Sequence, residues 1–259
     1  MKNLTTGRAF GDDSRSTLVR IGILVAIACV VATVVWVGAH TRSADNSPEG
    51  NNENSSDQTA QNVAVEQVAP DTAPADGVVI PTGADQADGY PTGFPATDLG
   101  AVALQVEVAK AQIGFDHDQA VTVAGLYASP EDKTLFEDRA RAAVALRRQQ
   151  AGVPKEGDVP QPASYAVTPV AYTLEELDTG YYAVNLLSYV TLTTADGKVK
   201  DNLYAGTQLM RWLDGDWRLV QGSEADLEHL VTEGQPQAAA PGTPAFDKAG
   251  WIGINGAPQ

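Results

Sequence analysis

The sequence predicts an α+β protein with an N-terminal transmembrane helix, a disordered linker, and helices packed on a curved antiparallel sheet. Three observations lead to this prediction. Ile21–Ala39 is an uncharged apolar run, Thr41–Thr97 has no sustained apolar period, and after Gly152 the apolar spacing changes from three or four residues to two. Helical spacing followed by strand spacing is typical of helices followed by an antiparallel sheet.

The apolar run is long enough to cross a membrane. As a helix Ile21–Ala39 would rise about 28 Å, close to the hydrocarbon thickness of a bilayer. The basic residues before it are Lys2, Arg8, Arg15 and Arg20. A cleaved signal peptide ending near Ala39 is the alternative, but its apolar region is usually shorter. The positive-inside rule therefore predicts a single-pass cell-membrane protein, with residues 1–20 cytoplasmic and the C-terminal domain extracytoplasmic.

The next segment is acidic and interrupted by prolines. Such a composition buries too little apolar surface to offset its ordering entropy, so we predict a disordered acidic linker over residues 40–97. A partner-binding motif around Gly77–Pro81 is the alternative. The whole chain of 259 residues has a formal net charge of −16 and no basic stretch, which argues against direct nucleic-acid binding.

Residues 98–233 are predicted to form the folded domain. One helix begins at Thr97 or Asp98 and stops near Gly114, and a second covers Gln119–Ala128. A third has Ser129 as its N-cap, because Pro130 suits the first helical position and two acidic residues follow.

Three strands with a period of two follow the helices. They are predicted over Tyr165–Glu175, Tyr181–Thr194 and Val199–Leu213. Pro169 confines the first strand to an edge or a bulge. Strands of this length usually imply a strongly curved sheet.

The last hairpin, RWLDGDWRLV at Arg211–Val220, has two alternative registers. A two-residue turn places Arg211 opposite Arg218, an unfavourable like-charge pair. A three-residue loop places Trp217 and Leu219 on the same face as Leu209 and buries more apolar surface. We predict the three-residue loop, with the tryptophans closing the sheet rather than binding a ligand.

Helices followed by long meander strands ending in GDWRLV resemble the cone-shaped fold of ketosteroid isomerase and nuclear transport factor two, over residues 98–233. With one span and a tether before this domain, the chain is similar to the assembly proteins of conjugative type IV secretion systems. It is also similar to the membrane proteins associated with Mce lipid importers. The resemblance to the secretion proteins implies a non-catalytic, membrane-anchored interaction or scaffold subunit. Its partners would be other envelope proteins, and it could form a homo-oligomer. The second resemblance implies an accessory module that binds an apolar ligand.

The sequence predicts no enzyme, cofactor or metal site. It has no HExxH, G-x-S-x-G, Walker or GxGxxG motif, and its single cysteine, Cys29, lies in the apolar run. Asp116-His117-Asp118 resembles a metal or acid–base cluster, but sequence neighbours diverge in direction, so we expect a solvated loop. The tyrosines that could line a cavity are Tyr165, Tyr172, Tyr189 and Tyr204, although strand preference explains them equally well.

Two groups of residues are candidates for partner binding. The first is the basic part of the third helix, whose alternative is a solvated helix face: Arg139, Arg141, Arg147 and Arg148. The second belongs to residues 234–259, predicted to be a flexible C-terminal tail: Trp251, Ile252 and Ile254. The tail either folds back onto the domain or is captured by a partner, for instance as an added strand.

Overall fold

The computed structural model describes residues 77–258 and has an α+β fold, with helices over an antiparallel sheet. The helices are α1 (Asp98–Ala111), α2 (His117–Tyr127), α3 (Lys133–Ala151), α4 (Glu224–Glu233) and α5 (Pro244–Lys248). The strands are β1 (Asp85–Ala87), β2 (Tyr90–Thr92), β3 (Ser164–Asp178), β4 (Tyr181–Thr193), β5 (Val199–Leu213), β6 (Asp216–Val220) and β7 (Ile252–Gly253).

The main sheet has the strand order β6-β5-β4-β3-β7, and each neighbouring pair is antiparallel. β3, β4 and β5 are the long strands that the sequence predicts. The register of β3 against β4 shifts between Pro169 and Ala171, so the structure has a bulge there, one of the two alternatives that Pro169 predicts. Val170 consequently packs on the opposite face from Tyr172.

The two faces of the sheet bury different parts of the chain. On one, the helix face, Val184, Leu186 and Met210 pack with α1, α2 and α3 in the largest apolar cluster. The other, the C-terminal face, carries Leu187 and Leu209, which pack with the C-terminal segment and with α4. Because both faces are covered, the sheet forms the middle of the domain rather than one wall.

Side-chain caps fix the starts of the first two helices. The Thr97 hydroxyl accepts a hydrogen bond from the Gly100 amide at 3.1 Å, so Thr97 is the N-cap of the two candidates, Thr97 and Asp98. The Asp116 carboxylate accepts from the amides of Asp118 and Gln119 at 2.8 and 3.0 Å, so it is the N-cap of α2. Asp116-His117-Asp118 is therefore the start of a helix and not the solvated loop that we expected.

The third helix begins later than predicted. α3 starts at Lys133, with Asp132 at the N-cap position, and not directly after Ser129. The Ser129 amide donates to the Leu219 carbonyl at 2.8 Å, and its hydroxyl bonds to the Asp132 carboxylate. Ser129 is thus held at the edge of the sheet, and a tight turn separates it from the helix.

The linker prediction is wrong for residues 77–97. This segment contains the β1–β2 hairpin, and Phe94 is only 2% exposed. The Val78 amide donates to the Gly253 carbonyl at 2.8 Å, and the Asn255 amide donates to the Val78 carbonyl at 2.9 Å. Contacts with distant residues supply the burial that the local composition lacks.

The prediction of a flexible C-terminal tail is also wrong for residues 234–258. α5 and β7 lie in this segment, and β7 pairs with β3 at Ala171 and Tyr172. Phe246 and Trp251 pack on the C-terminal face of the sheet, and Trp251 Nε1 donates to the Gln237 carbonyl at 2.9 Å. The segment folds back, which is one of the two outcomes that the sequence leaves open.

Within residues 77–258 no helix is long and apolar enough to span a bilayer. The predicted cytoplasmic tail (residues 1–20), the predicted span Ile21–Ala39 and residues 40–76 of the predicted linker lie outside the described residues.

Candidate functional site

The Trp-rich hairpin adopts the register that we did not predict. Leu213 pairs with Asp216 and Trp212 with Trp217, across a two-residue turn in which Asp214 and Gly215 have φ of 52° and 86°. Both positive values match a type I′ turn. Trp217 therefore packs on the helix face, opposite to Leu209, and not beside it.

This register pairs Arg211 with Arg218, and each of the two cations contacts a different partner. Arg218 Nη1 donates to the Leu126 carbonyl at 2.9 Å, and Arg218 Nη2 lies 4.0 Å from Asp216 Oδ2. The Arg211 guanidinium instead stacks 4.0 Å from the centre of the Tyr181 ring. The two tryptophan rings meet edge to face at 5.4 Å, which favours the observed pairing.

The hairpin also binds residues 93–95, the segment just before α1. Asp216 is buried, and its carboxylate accepts from the amides of Gly93 at 3.0 Å, Phe94 at 3.1 Å and Trp217 at 2.9 Å. Trp217 Nε1 donates to the Pro95 carbonyl at 2.8 Å. These contacts form a clasp, defined by Asp216 and Trp217, that closes the sheet and binds residues 93–95.

The four arginines of α3 do not form one surface. Arg147 and Arg148 are 2% and 5% exposed, because they turn into the domain and bond to loop carbonyls. Arg148 reaches Phe115, Pro154 and Gly157, while Arg147 Nη1 reaches Gln112 and Gly114. Arg141 is exposed and pairs with Asp138 at 2.8 Å, and Arg139 stacks 5.5 Å from the centre of the Phe136 ring. The predicted basic docking patch is therefore wrong for Arg147 and Arg148.

The C-terminal candidates contribute to the fold. Trp251 is 5% exposed, and Ile252 and Ile254 are partly buried against the helix-face cluster. The Ile254 amide donates to the Val170 carbonyl at 2.9 Å. Trp251 is therefore buried in the domain, and Ile252 and Ile254 are only partly exposed.

A small cavity lies between α1 and the helix face of the sheet. Its walls are Gln105, Ala109, Gln112, Tyr165, Val167, Leu186, Ser188, Val190, Tyr204 and Gly206. Of the four candidate tyrosines, Tyr165 and Tyr204 reach this cavity. Tyr172 packs in the helix-face core, and Tyr189 packs on the C-terminal face.

The cavity contains polar atoms without a protein partner. Both amide atoms of Gln105, which is 0% exposed, and the Tyr165 hydroxyl are buried and make no hydrogen bond. The cavity volume is about 30 Å³, enough for about two waters. Pockets for drug-sized ligands measure about 300–1,000 Å³, so side chains fill this space too closely for a lipid.

The Tyr165 ring, which forms part of the cavity wall, also contacts a buried cation. The Arg147 guanidinium lies 4.7 Å from the centre of the ring. Burial raises the pKa of Tyr165, which the Arg147 charge partly opposes, and burial lowers the pKa of Arg147. A neutral tyrosine beside a cation held by carbonyls gives this wall a structural role.

A larger groove, of about 840 Å³, opens at the other end of the sheet. Its ionisable walls are mainly acidic: Glu131, Asp132, Asp178, Tyr181, Arg211, Asp214 and Asp226. The Tyr181 hydroxyl donates to Asp226 at 3.0 Å, and burial followed by this bond raises the pKa of Tyr181. The carboxylates of Asp132 and Asp226 accept hydrogen bonds from backbone amides of the domain, whereas Glu131 and Asp214 are exposed to solvent. The groove is suited to a cationic partner.

No group of three or more His, Cys, Asp or Glu side chains that could hold a metal ion occurs within residues 77–258. The acidic walls of the groove are spread over several loops.

Sequence reasoning named Tyr165 and Tyr204 as residues that could line a cavity, but it missed Gln105 and the whole groove. Gln105 lies three residues after Val102 and four before Ala109, on the apolar side of α1, which is the signal that could have identified it. The groove has no such signal, because its walls come from distant loops.

The sequence matches no protein-family model and no curated protein. Among solved structures, the crystal structure of the intermembrane space region of the chloroplast protein ARC6 is similar at a TM-score of 0.30 and 14% sequence identity. That match covers 48% of this chain and 89% of the other. A likeness of this size bears on neither the fold family nor the function of this chain.

Proposed function

We propose that the protein is a non-catalytic interaction subunit of a bacterial envelope complex, anchored by Ile21–Ala39, with conjugative, type IV secretion-like machinery as the specific assignment. The observation that carries the proposal is the filled space under the sheet. A cavity of about 30 Å³ does not suit the alternative, an accessory module for an apolar ligand in Mce-type lipid import.

The fold supports the same assignment. Three helices over one face of a long-stranded antiparallel sheet match the layers of the nuclear transport factor two-like cone, and the small cavity lies where the helix face meets α1. These features support our proposal that the domain belongs to this fold class.

The acidic groove is the surface that we propose for the partner. It combines the exposed carboxylates of Glu131, Asp178 and Asp214 with apolar walls at Leu177 and Leu213. Opposite charges speed association and select partners, so a segment rich in lysine or arginine suits it.

The test uses the host bacterium, with the gene deleted and the full-length chain restored from a plasmid. Two readouts are compared: the transfer frequency of a conjugative plasmid and the uptake of a labelled fatty acid. We expect deletion to lower transfer and leave uptake unchanged. Loss of uptake without loss of transfer would support lipid import and overturn the proposal, as would no change in either.

The groove is tested in the same strains. Asp178→Lys with Asp214→Lys reverses its charge at two exposed positions, and Val79→Lys, at a residue 72% exposed, is the matched control. We expect the double variant to lose transfer at normal protein levels and the control to keep it. Equal transfer in both would remove the groove from the proposal.

A further inference from the structure

The outer edge of β5 is open over most of its length. β6 pairs with β5 only from Leu209 to Leu213, and within residues 77–258 no strand lies beyond β5 from Val199 to Gln208. An open strand edge presents backbone N–H and C=O groups that another strand can bind.

The groups at this edge belong to alternate residues. Leu213 and Asp216 flank a two-residue turn and form a hydrogen-bonded pair, so odd-numbered residues of β5 face β6. In agreement, the Trp212 amide donates away from β6, to the Gly180 carbonyl at 2.9 Å. The β4–β5 register continues to Val199 without a shift. The odd-numbered residues of this stretch are Val199, Asp201, Leu203, Ala205 and Thr207. Thr207 is only 4% exposed, so the accessible backbone groups belong to the first four.

The other edges of the sheet are covered or protected. Ser129 bonds to the outer edge of β6, and Val78 bonds to β7. The parts of β3 beyond β7 contain Pro169 and the acidic run Glu175–Asp178, features that discourage strand addition. In contrast, Asn202–Gln208 of β5 contains neither a charge nor a proline.

We propose that this edge pairs with the β5 edge of a second copy of the chain, antiparallel about a two-fold axis at Leu203. The open stretch ends at the turn before Val199 and at β6, where Val220 lies opposite Leu209. Centring on Leu203 places Asp201 opposite Ala205, and it places Val199 opposite the buried Thr207, where the pairing ends. The two copies therefore pair over Asp201–Ala205.

Side chains are compatible with this register. Asp201 faces Ala205 and Lys200 faces Gly206, so no like charges oppose each other. Leu203 meets its own counterpart on the C-terminal face. This self-association goes beyond the proposed function and does not depend on it.

The register is tested by disulfide formation in the full-length chain, purified in mild detergent with Cys29→Ser. In the proposed dimer, Leu203→Cys places the cysteines of the two copies opposite each other. Their Cα atoms would be about 5.5 Å apart, which is within reach of a disulfide bond. Asp201→Cys is the control, because its two copies are about 13 Å apart along the strands. We expect a covalent dimer from the first variant and none from the second. No dimer from Leu203→Cys, or equal dimer from both, would overturn the proposal.

A second measurement does not need cysteines. Leu203→Pro removes an outward-facing N–H and leaves the β4 ladder bonded, while Leu203→Ala changes the side chain and keeps the N–H. By analytical ultracentrifugation we expect the proline variant to raise the dimer Kd about tenfold or more relative to the alanine variant, with both folded by circular dichroism. A wild-type chain that stays monomeric, because another segment or protein occupies the edge, would overturn the proposal. A dimer unaffected by proline would do the same.

Discussion

Asp216 is predicted to hold residues 93–95, the segment before α1, on the domain. Its Oδ1 accepts from the amides of Phe94 and Trp217, and its Oδ2 accepts from Gly93. In Asp216→Asn the amide oxygen can keep the two bonds at the Oδ1 position, but the NH₂ group then faces the Gly93 N–H. One bond to a charged acceptor is lost, and a partly buried donor is left without a partner.

The expected cost follows from these contacts. A hydrogen bond to a charged group contributes about 1.5–3 kcal/mol, so we expect Asp216→Asn to lower the free energy of unfolding by about 2 kcal/mol. Asp216→Ala removes all three bonds and should cost about 4 kcal/mol or more. Asp214→Asn is the matched control, since Asp214 is exposed and asparagine tolerates its φ of 52°.

Urea unfolding of the full-length chain, followed by tryptophan fluorescence, measures these differences. The ring of Trp217 contacts Trp212 and Tyr182, so its emission reports on the clasp. The control should stay within about 0.5 kcal/mol of wild type. If Asp216→Asn also stays within that range, the carboxylate does not hold residues 93–95 and the reasoning is refuted.

Three further outcomes are expected. Trp251→Ala should lower the melting temperature by roughly 10 °C, because truncating a buried tryptophan costs about 3–5 kcal/mol; a change under about 2 °C would show that the tail is not docked. Gln105→Leu should leave stability unchanged or raise it by up to about 1 kcal/mol in thermal unfolding, since its amide makes no protein bond; a large loss would show that the amide is bound in the cavity. Glu175 raises the pKa of His229, so this contribution to stability is present below about pH 6.5 and is lost as the pH rises through the folded-state value. NMR titration should show the pKa of His229 falling in Glu175→Gln, and an unchanged value would contradict the contact.

The sequence predicts best what depends on local spacing. The bounds of β5, Val199–Leu213, agree with the structure, and β4 differs from its predicted range by one residue. Apolar residues at every second position, continued over a long stretch, indicate a strand, and this signal remains although both faces of the sheet are covered. The cap at Thr97 is equally local, since it depends on residues within one helical turn.

Long-range contacts account for most errors. The bonds from Asp216 to Gly93 and Phe94 join residues more than 120 positions apart, so composition alone makes residues 77–97 resemble a linker. The tail is similar, because Phe246 and Trp251 have no periodic apolar neighbours and gain their burial from the sheet. A segment without periodic apolar residues can still be ordered when it packs against the surface of a folded domain.

The hairpin shows how a correct local rule can lead to a wrong register. Facing arginines are unfavourable when only the pair is considered. In the structure Arg218 reaches a carbonyl of α2, and Arg211 stacks on Tyr181, so each cation has a separate environment. The two-residue turn also lets Trp217 reach Pro95 and lets Asp216 bind the segment before α1. Contacts with residues 93–95 therefore favour this register, and they tie the end of the sheet to the segment before α1.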